Sequence, residues 1–291
     1  MRVHFHLRRS GRLIDGPCQD LIVLLLRCPV CHAHLRSDGN AAACARGHTF
    51  DRAREGYLNL LPVQQKNSLN PGDDAAMVAA RSEFLDAGYY EPLRVALVRV
   101  LADVRPTDLL DCGCGDGWYS TALSRTAAAT TALDISKDAI KRAARRDRAI
   151  TWLVASSADI PLMDASVDAI AAIFSPIHVA EAARVLKAQG SLVVAAPDEK
   201  HLLELRAALY PQVRPHQPHK WLDSLAPTFT LLRDSRVQFP IDLPDHAAVN
   251  ALLKMTPYYW RAERQRRTQV EALTGLSTQA DFRILHFVRE A

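Results

Sequence analysis

The sequence predicts an α/β protein: a doubly wound, mostly parallel sheet preceded by a small N-terminal zinc-binding domain. Three observations lead there. Short apolar runs alternate with helical segments between residues 109 and 196, the pattern of βαβ units. A glycine loop, Asp111-Cys-Gly-Cys-Gly-Asp-Gly117, closes the first of those runs. Cys28, Cys31, Cys44 and His48 form a Cys-x2-Cys-x12-Cys-x3-His array in the first fifth of the chain.

Residues 1–27 read as an N-terminal extension. Their apolar run, Leu21 to Leu26, is far below the ~20 residues needed to span a bilayer, so it is expected as a strand leading into the metal module. In that module, three thiolates and one imidazole close a tetrahedral shell around a single zinc ion and leave no position open for a substrate. The expected zinc is therefore structural, one per chain. Of six cysteines, three lie in the array and two in the glycine loop. No disulfide framework suggests itself, and thiolate ligands need a reducing compartment, which points to the cytoplasm. The net charge is +4. Residues 1–56 hold nine arginines against five acids, so the whole excess sits on the metal module, as suits contact with a phosphate backbone.

A polar stretch from Gln64 to Asp74, with Asn70-Pro-Gly72 inside it, reads as a linker or loop. Apolar residues then recur at helical spacing from Asp73 to Leu85 and from Pro92 to Leu101, predicting two helices before the first strand. Strands are expected at Leu109 to Asp111, Thr130 to Asp134, Thr151 to Ala155, Val167 to Phe174 and Ser191 to Ala196. Their alternation with helices argues for a parallel sheet covered on both faces. Beyond Pro197 come a helix to Tyr210, a Pro/His-rich stretch from Pro211 to His219, and β-like segments at Phe229 to Phe239 and Arg283 to Val288.

A glycine loop at a strand end lets the backbone approach a nucleotide closely. A dinucleotide fingerprint would place its third glycine at 118, where Trp118 stands; here the glycines are Gly113, Gly115 and Gly117. That spacing disfavours NAD and FAD. Asp111 would repel a pyrophosphate but suits a ligand carrying an ammonium and a sulfonium. Asp134, at the next strand end, is placed to accept both ribose hydroxyls. Asp159 and Asp168 read as turn caps.

Two acids at successive strand ends around a glycine loop resemble the class I S-adenosylmethionine-dependent methyltransferases, with their Rossmann-like doubly wound sheet. In that superfamily the segment Ala155-Ser-Ser-Ala-Asp-Ile-Pro-Leu162 corresponds to the adenine-contacting loop. Many members have Asp where this chain has Ser156, which leaves the backbone near Ser157 for that contact. The resemblance becomes specific with the zinc array, Gly-His-Thr-Phe-Asp51, Glu-Gly-Tyr-Leu-Asn-Leu-Leu-Pro62, Pro-Gly-Asp73, Ala80-Arg-Ser-Glu-Phe-Leu-Asp-Ala-Gly88 and Met255-Thr-Pro-Tyr-Tyr-Trp260. Together these resemble the 23S ribosomal RNA guanine-N1 methyltransferases from about Cys28 to the C-terminus. That family includes macrolide-resistance enzymes; the Leu-Leu-Pro-Val-Gln64 continuation is more similar to the housekeeping branch.

The resemblance implies a zinc-binding RNA-recognition domain at 28–62, a linker and helices at 63–104, a methyltransferase domain at 105–291, and homodimers acting on 23S rRNA. It implies cofactor contacts at Tyr90, Gly115, Asp116 and His201. Two segments depart from the family pattern, Ala188-Gln-Gly190 and Phe174-Ser-Pro176. Methyl transfer to guanine N1 requires that the N1 proton be accepted as the bond forms. His178, Asp198 and His201 are the candidate acceptors, and none is singled out. The target base must be unpaired or flipped, and Phe174, Tyr258 or Trp260 are candidates to stack on it. Two other readings stay open: a methyltransferase acting on a small molecule, and a zinc-dependent RNA-binding protein without catalysis.

Overall fold

A computed structural model describes residues 8–9, 12–13, 25–38, 40–63, 72–216 and 222–290. The metal module contributes a three-stranded antiparallel sheet, β1 (Leu35–Asp38), β2 (Ala41–Cys44) and β3 (Thr49–Asp51), and then a short strand β4 (Leu58–Asn59). Two helices follow, α1 (Ala75–Asp86) and α2 (Glu91–Val104). Asp74 starts α1, its carboxylate accepting from Met77 N–H at 2.8 Å, which satisfies an otherwise orphaned first-turn amide.

The body then runs β5 (Asp108–Cys112), α3 (Ser120–Leu123), β6 (Ala129–Asp134), α4 (Lys137–Arg146), β7 (Thr151–Val154), β8 (Val167–Ile173), α5 (Val179–Val185), β9 (Leu186–Pro197) and α6 (Leu203–Leu209). It closes with α7 (Leu222–Leu225), β10 (Phe229–Leu243), α8 (His246–Met255), α9 (Pro257–Arg261), α10 (Arg264–Glu271) and β11 (Leu276–Arg289). The eight-stranded sheet has the order β10-β11-β9-β8-β5-β6-β7-β4. All neighbours are parallel except β11, which is antiparallel to both β9 and β10.

Every residue of β5 is buried, as expected of a central parallel strand covered on both faces. Alternate residues serve opposite faces. Leu109 joins Phe84, Leu93, Leu97, Leu101, Leu205 and Leu252 from the helices on one side. Leu110 joins Leu133, Leu153 and Leu192 on the other, and there the metal module supplies Leu26, Cys28, Leu35, Leu58 and Leu60. The zinc ribbon thus covers part of a sheet face.

The expected strands appear, β7 and β8 each one residue shorter and the others with longer ends, and β11 begins seven residues before Arg283. Of the run expected as a strand at Leu21 to Leu26, residues 21–24 lie outside the described residues, and Leu26 makes a single antiparallel bridge to Leu162. The linker residues 64–71 and the Pro/His-rich residues 217–219 also lie outside them. Three helices between β10 and β11 were not expected from the sequence.

Two parts of the module meet the main sheet. On entry, Arg27 N–H donates to Pro161 O at 3.0 Å and Met163 N–H donates to Leu25 O at 2.8 Å. On exit, β4 pairs in parallel with β7, and Leu60 N–H donates to Val154 O at 2.9 Å. The chain between those two anchor points, residues 155–160, is part of the segment Ala155 to Leu162 expected as the adenine loop.

Candidate functional site

The metal array closes as its spacing requires. Cys28 and Cys44 each head a tight turn, His32 N–H donating to Cys28 O at 2.9 Å and Gly47 N–H to Cys44 O at 3.0 Å. The four ligand atoms lie within 4.8 Å of one another. Cys31 Sγ is 3.6 Å from Cys44 Sγ, and His48 Nδ1 is 3.6 Å from Cys28 Sγ and 3.4 Å from Cys44 Sγ. A tetrahedron with ~2.3 Å metal–sulfur bonds has edges of about 3.8 Å, so these separations fit one zinc ion held by all four ligands.

The candidate donor site sits where β5 and β6 end. Asp111 is buried; its Oδ2 accepts from Ser120 Oγ at 2.6 Å, while Oδ1 has no partner among the described residues. Burial, with a smaller contribution from Asp134, pushes its carboxyl up to about 7 against the pull of the Ser120 hydrogen bond. Asp134 accepts from Gly115 N–H at 2.9 Å and from Ser136 N–H at 2.8 Å. Its pKa is also raised, chiefly by burial.

The glycines divide by what surrounds them. A Cβ on Gly117 would lie 2.6 Å from the Trp152 ring, and one on Gly113 would collide with Ser175, so both are held close by packing. A Cβ on Gly115 would meet only Arg81 Nη1, at 3.8 Å. Its φ is +56°, and its face is open beside Asp134, as a ligand cradle needs. Tyr119 Oη, buried next to the loop, is a second polar atom without a partner among the described residues. Open backbone and two orphaned polar atoms fit a polar, cationic ligand such as S-adenosylmethionine.

The Asp116 side chain is engaged within the protein. Its carboxylate accepts from Ser82 Oγ, from Arg146 Nη2 at 2.5 Å and from Trp118 N–H at 3.3 Å. Buried, it ties the loop to α1 and α4, and its carbonyl oxygen also accepts from Arg146 Nε at 3.0 Å. Arg81 escaped the sequence reading. It pairs with Asp73, and Asp73 O accepts from Ser136 Oγ at 2.8 Å, which folds residues 73–81 over the end of β6. The sequence marked Arg81 only as part of a helical, family-like segment, Ala80 to Gly88, without a role.

Tyr90 and His201 come together across 111 positions. Both are buried, with Tyr90 Oη 3.5 Å from His201 Nε2. Asp281 N–H donates to His201 Nδ1 at 3.4 Å, which leaves the proton on Nε2, pointing to Tyr90. Burial, helped by His216 and Arg206, pushes the imidazole down to about 3. Phe174 stands at the tip of β8 with φ +56° and 43% exposure, its ring centroid 5.3 Å from Phe282 and 6.5 Å from Tyr90. A bulky residue held in the left-handed region stores strain of the kind found at functional sites.

Asp198 is buried, 3.5 Å from Arg236 and 3.7 Å from Arg283, and its Oδ1 accepts from Glu199 N–H at 2.9 Å. His178 is exposed at the start of α5. It lines a small crevice with Ser157, Cys112 and Pro176. Asp168 binds Lys187 at 2.6 Å and accepts from Asp108 N–H at 2.8 Å, away from the cradle, as a structural acid. Asp159 pairs with Arg27 at 2.6 Å.

Two segments of the chain match known protein families. Residues 26–69 match the zinc ribbon described as "RlmA, N-terminal", and residues 110–194 match "Methyltransferase domain". The 23S rRNA (guanine(748)-N(1))-methyltransferase of Streptomyces fradiae is 36% identical over 250 residues, covering 83% of this chain and 88% of that one. YxjB of Bacillus subtilis, provisionally described as a 23S rRNA (guanine-N(1)-)-methyltransferase, is 31% identical over 278 residues, 90% of this chain and 96% of its own. A demethylmenaquinone methyltransferase of Tropheryma whipplei is 36% identical over 111 residues, 35% of this chain and 46% of its own.

Proposed function

This chain belongs to the 23S rRNA (guanine-N1)-methyltransferase family, and from that premise we propose that it methylates N1 of a guanine in a hairpin of 23S rRNA, with S-adenosylmethionine as donor. The observation that carries the reading is the span of the likeness: relatives named for this reaction align through the zinc ribbon and the donor half alike. A small-molecule methyltransferase matches only a third of the chain and leaves the ribbon unexplained. A non-catalytic RNA-binding protein leaves the open Gly115 cradle and the orphaned Asp111 oxygen unexplained.

When bound, S-adenosylmethionine supplies an electrophilic methyl group on a sulfonium. Asp134 would hold its ribose hydroxyls, Asp111 its ammonium, and the backbone at Gly115 and Ser157 its nucleoside portion. Gly113, Gly117 and Asp116 shape that cradle from behind. Tyr90 and His201 wall the side toward Phe174, and Phe174 offers an exposed ring on which an unpaired guanine can stack. Cys28, Cys31, Cys44 and His48 would hold the zinc that keeps the ribbon folded.

The proton leaving N1 needs an acceptor. His201 already accepts through Nδ1 and carries its proton on Nε2; Asp198 lies against two arginines. His178 alone of the three presents its ring to solvent, so it or water is the acceptor in this reading.

No described helix is long and apolar enough to cross a membrane. We place the protein in the cytoplasm, with its ribosomal RNA target, and as a homodimer, for which light scattering should return the mass of two chains. The direct test is primer extension on 23S rRNA from cells lacking and regaining the protein. An N1 methyl blocks pairing, so a position-specific stop that follows the gene is expected, with guanine 748 the first position to inspect. Identical stops in both RNAs would overturn the reading.

A further inference from the structure

Residues 254–267 form a basic, aromatic arm rooted at the donor site. Arg81, whose guanidinium faces Gly115, donates through Nη2 to Met255 O at 3.3 Å. Tyr210 Oη donates to Tyr258 O at 2.9 Å, and Tyr258 Oη lies 2.8 Å from His216 Nε2. The His216 ring is in turn 6.2 Å from that of His201. The arm therefore starts within two side chains of the pocket wall.

Outward from that root the character changes. Trp260 is 56% exposed, its ring 4.9 Å from that of Tyr259, over which the Arg267 guanidinium lies at 4.8 Å. Lys254, Arg261, Arg264, Arg266 and Arg267 are half-buried or exposed, and none has an ion-pair partner among the described residues. Arg27, Arg81, Arg146, Arg184 and Arg236, by contrast, each sit within 4.0 Å of a carboxylate. Only Glu263 and Glu271 offset the five cations between residues 254 and 271.

Resting on the rRNA reading above, we propose that this arm is a second RNA-binding surface, separate from the zinc ribbon, which grips the strand beside the target guanosine. The unpaired cations contact phosphates, and Trp260 stacks on a neighbouring unpaired base. Five close-set cations with two acids among them leave a positive excess that repels itself unless a polyanion neutralises it. An exposed indole is a platform that any unpaired base can occupy. A protein partner would have to supply a matching acidic patch with a slot for the indole; single-stranded RNA carries both features.

The test uses full-length protein and an unmethylated transcript of the 23S rRNA segment centred on guanine 748. For the triple variant Arg261→Ala, Arg264→Ala, Arg266→Ala, filter binding should show about a tenfold weaker Kd, and the slope of log affinity against log salt should fall by about 2 to 3. Trp260→Ala should weaken binding by about tenfold with the salt slope unchanged, and Trp260→Phe should restore most of it. Thermal midpoints and S-adenosylhomocysteine affinity by calorimetry should match wild type in all three. Wild-type RNA affinity and slope in both the triple variant and Trp260→Ala would overturn the arm while leaving the rRNA reading intact. Failure of the wild type to bind the transcript would overturn both. Normal RNA affinity with methylation lost only on assembled particles would assign the arm to a ribosomal protein instead.

Discussion

Asp111 has one satisfied oxygen and one orphan, and that asymmetry makes its charge conditional. Because its pKa lies near 7 in the folded protein against an ordinary 3.8, the fold binds this proton more tightly than the unfolded chain does. Its contribution to stability is thus complete at acid pH and is lost as pH rises through about 7. Donor binding has the opposite sign, since the ammonium needs the ionised form. Between pH 5.5 and 7 the donor's own amino group stays charged, and S-adenosylhomocysteine affinity should rise by about tenfold. Asp111→Asn should flatten that profile, as calorimetry at several pH values would reveal. Asp134→Ala should weaken the same ligand by at least about tenfold, because Asp134 also holds the Gly115 and Ser136 amides, while transcript binding stays near wild type. Both acids were legible in the sequence because a strand end next to a glycine loop fixes where they point. Arg81 was not, because its place depends on α1 folding across β6. The partners of the Asp116 carboxylate, Ser82 and Arg146, were not legible because they are far from it in sequence.

At the scale of elements, the central strands were readable because buried parallel strands leave unbroken apolar runs. The ends of β9 and β11 were not: Lys187 to Gln189 fall in the register break between Leu186 and Ser191, with Gln189 at φ +61°, and Ser277 to Gln279 are polar residues paired with Pro240 to Asp242 of β10. α8 carries a helical pattern in Val249, Leu252 and Leu253, but it lies between two strands and is short. The loop after β7 shows what pairing adds. Arg27, buried beside Cys28, donates to Asp159 at 2.6 Å and to Ile160 O at 3.4 Å, while Glu181 accepts from Ile160 N–H at 2.7 Å. Arg27→Ala should therefore loosen the adenine loop, lowering S-adenosylhomocysteine affinity by about three- to tenfold with zinc content unchanged on elemental analysis. Equal affinity would show that the loop holds its shape without the ribbon.

For the whole molecule, the sequence reading separated a zinc module from a methyltransferase body, and that division is visible in the chain but not in the core, where Leu26, Leu35 and Leu58 pack with Leu110 and Leu153. If metal and donor brace the same loop from two sides, each must favour the other by the same factor. Saturating S-adenosylhomocysteine should slow zinc transfer to a chromogenic chelator by at least about threefold, and Arg27→Ala should abolish the difference. Indistinguishable release rates in the wild-type protein would mean the two sites are independent.

The shared margin of β4 and β7 also limits how this architecture can be rebuilt. A fragment starting after residue 63 would bare the backbone of Leu153 and Val154 along a raw edge and strip the leucines that shield it, and such an edge invites fibre-like self-pairing. By the same logic, a chimera borrowing another relative's ribbon would have to borrow residues 151–163 with it, since graft and host recognise one another through that seam.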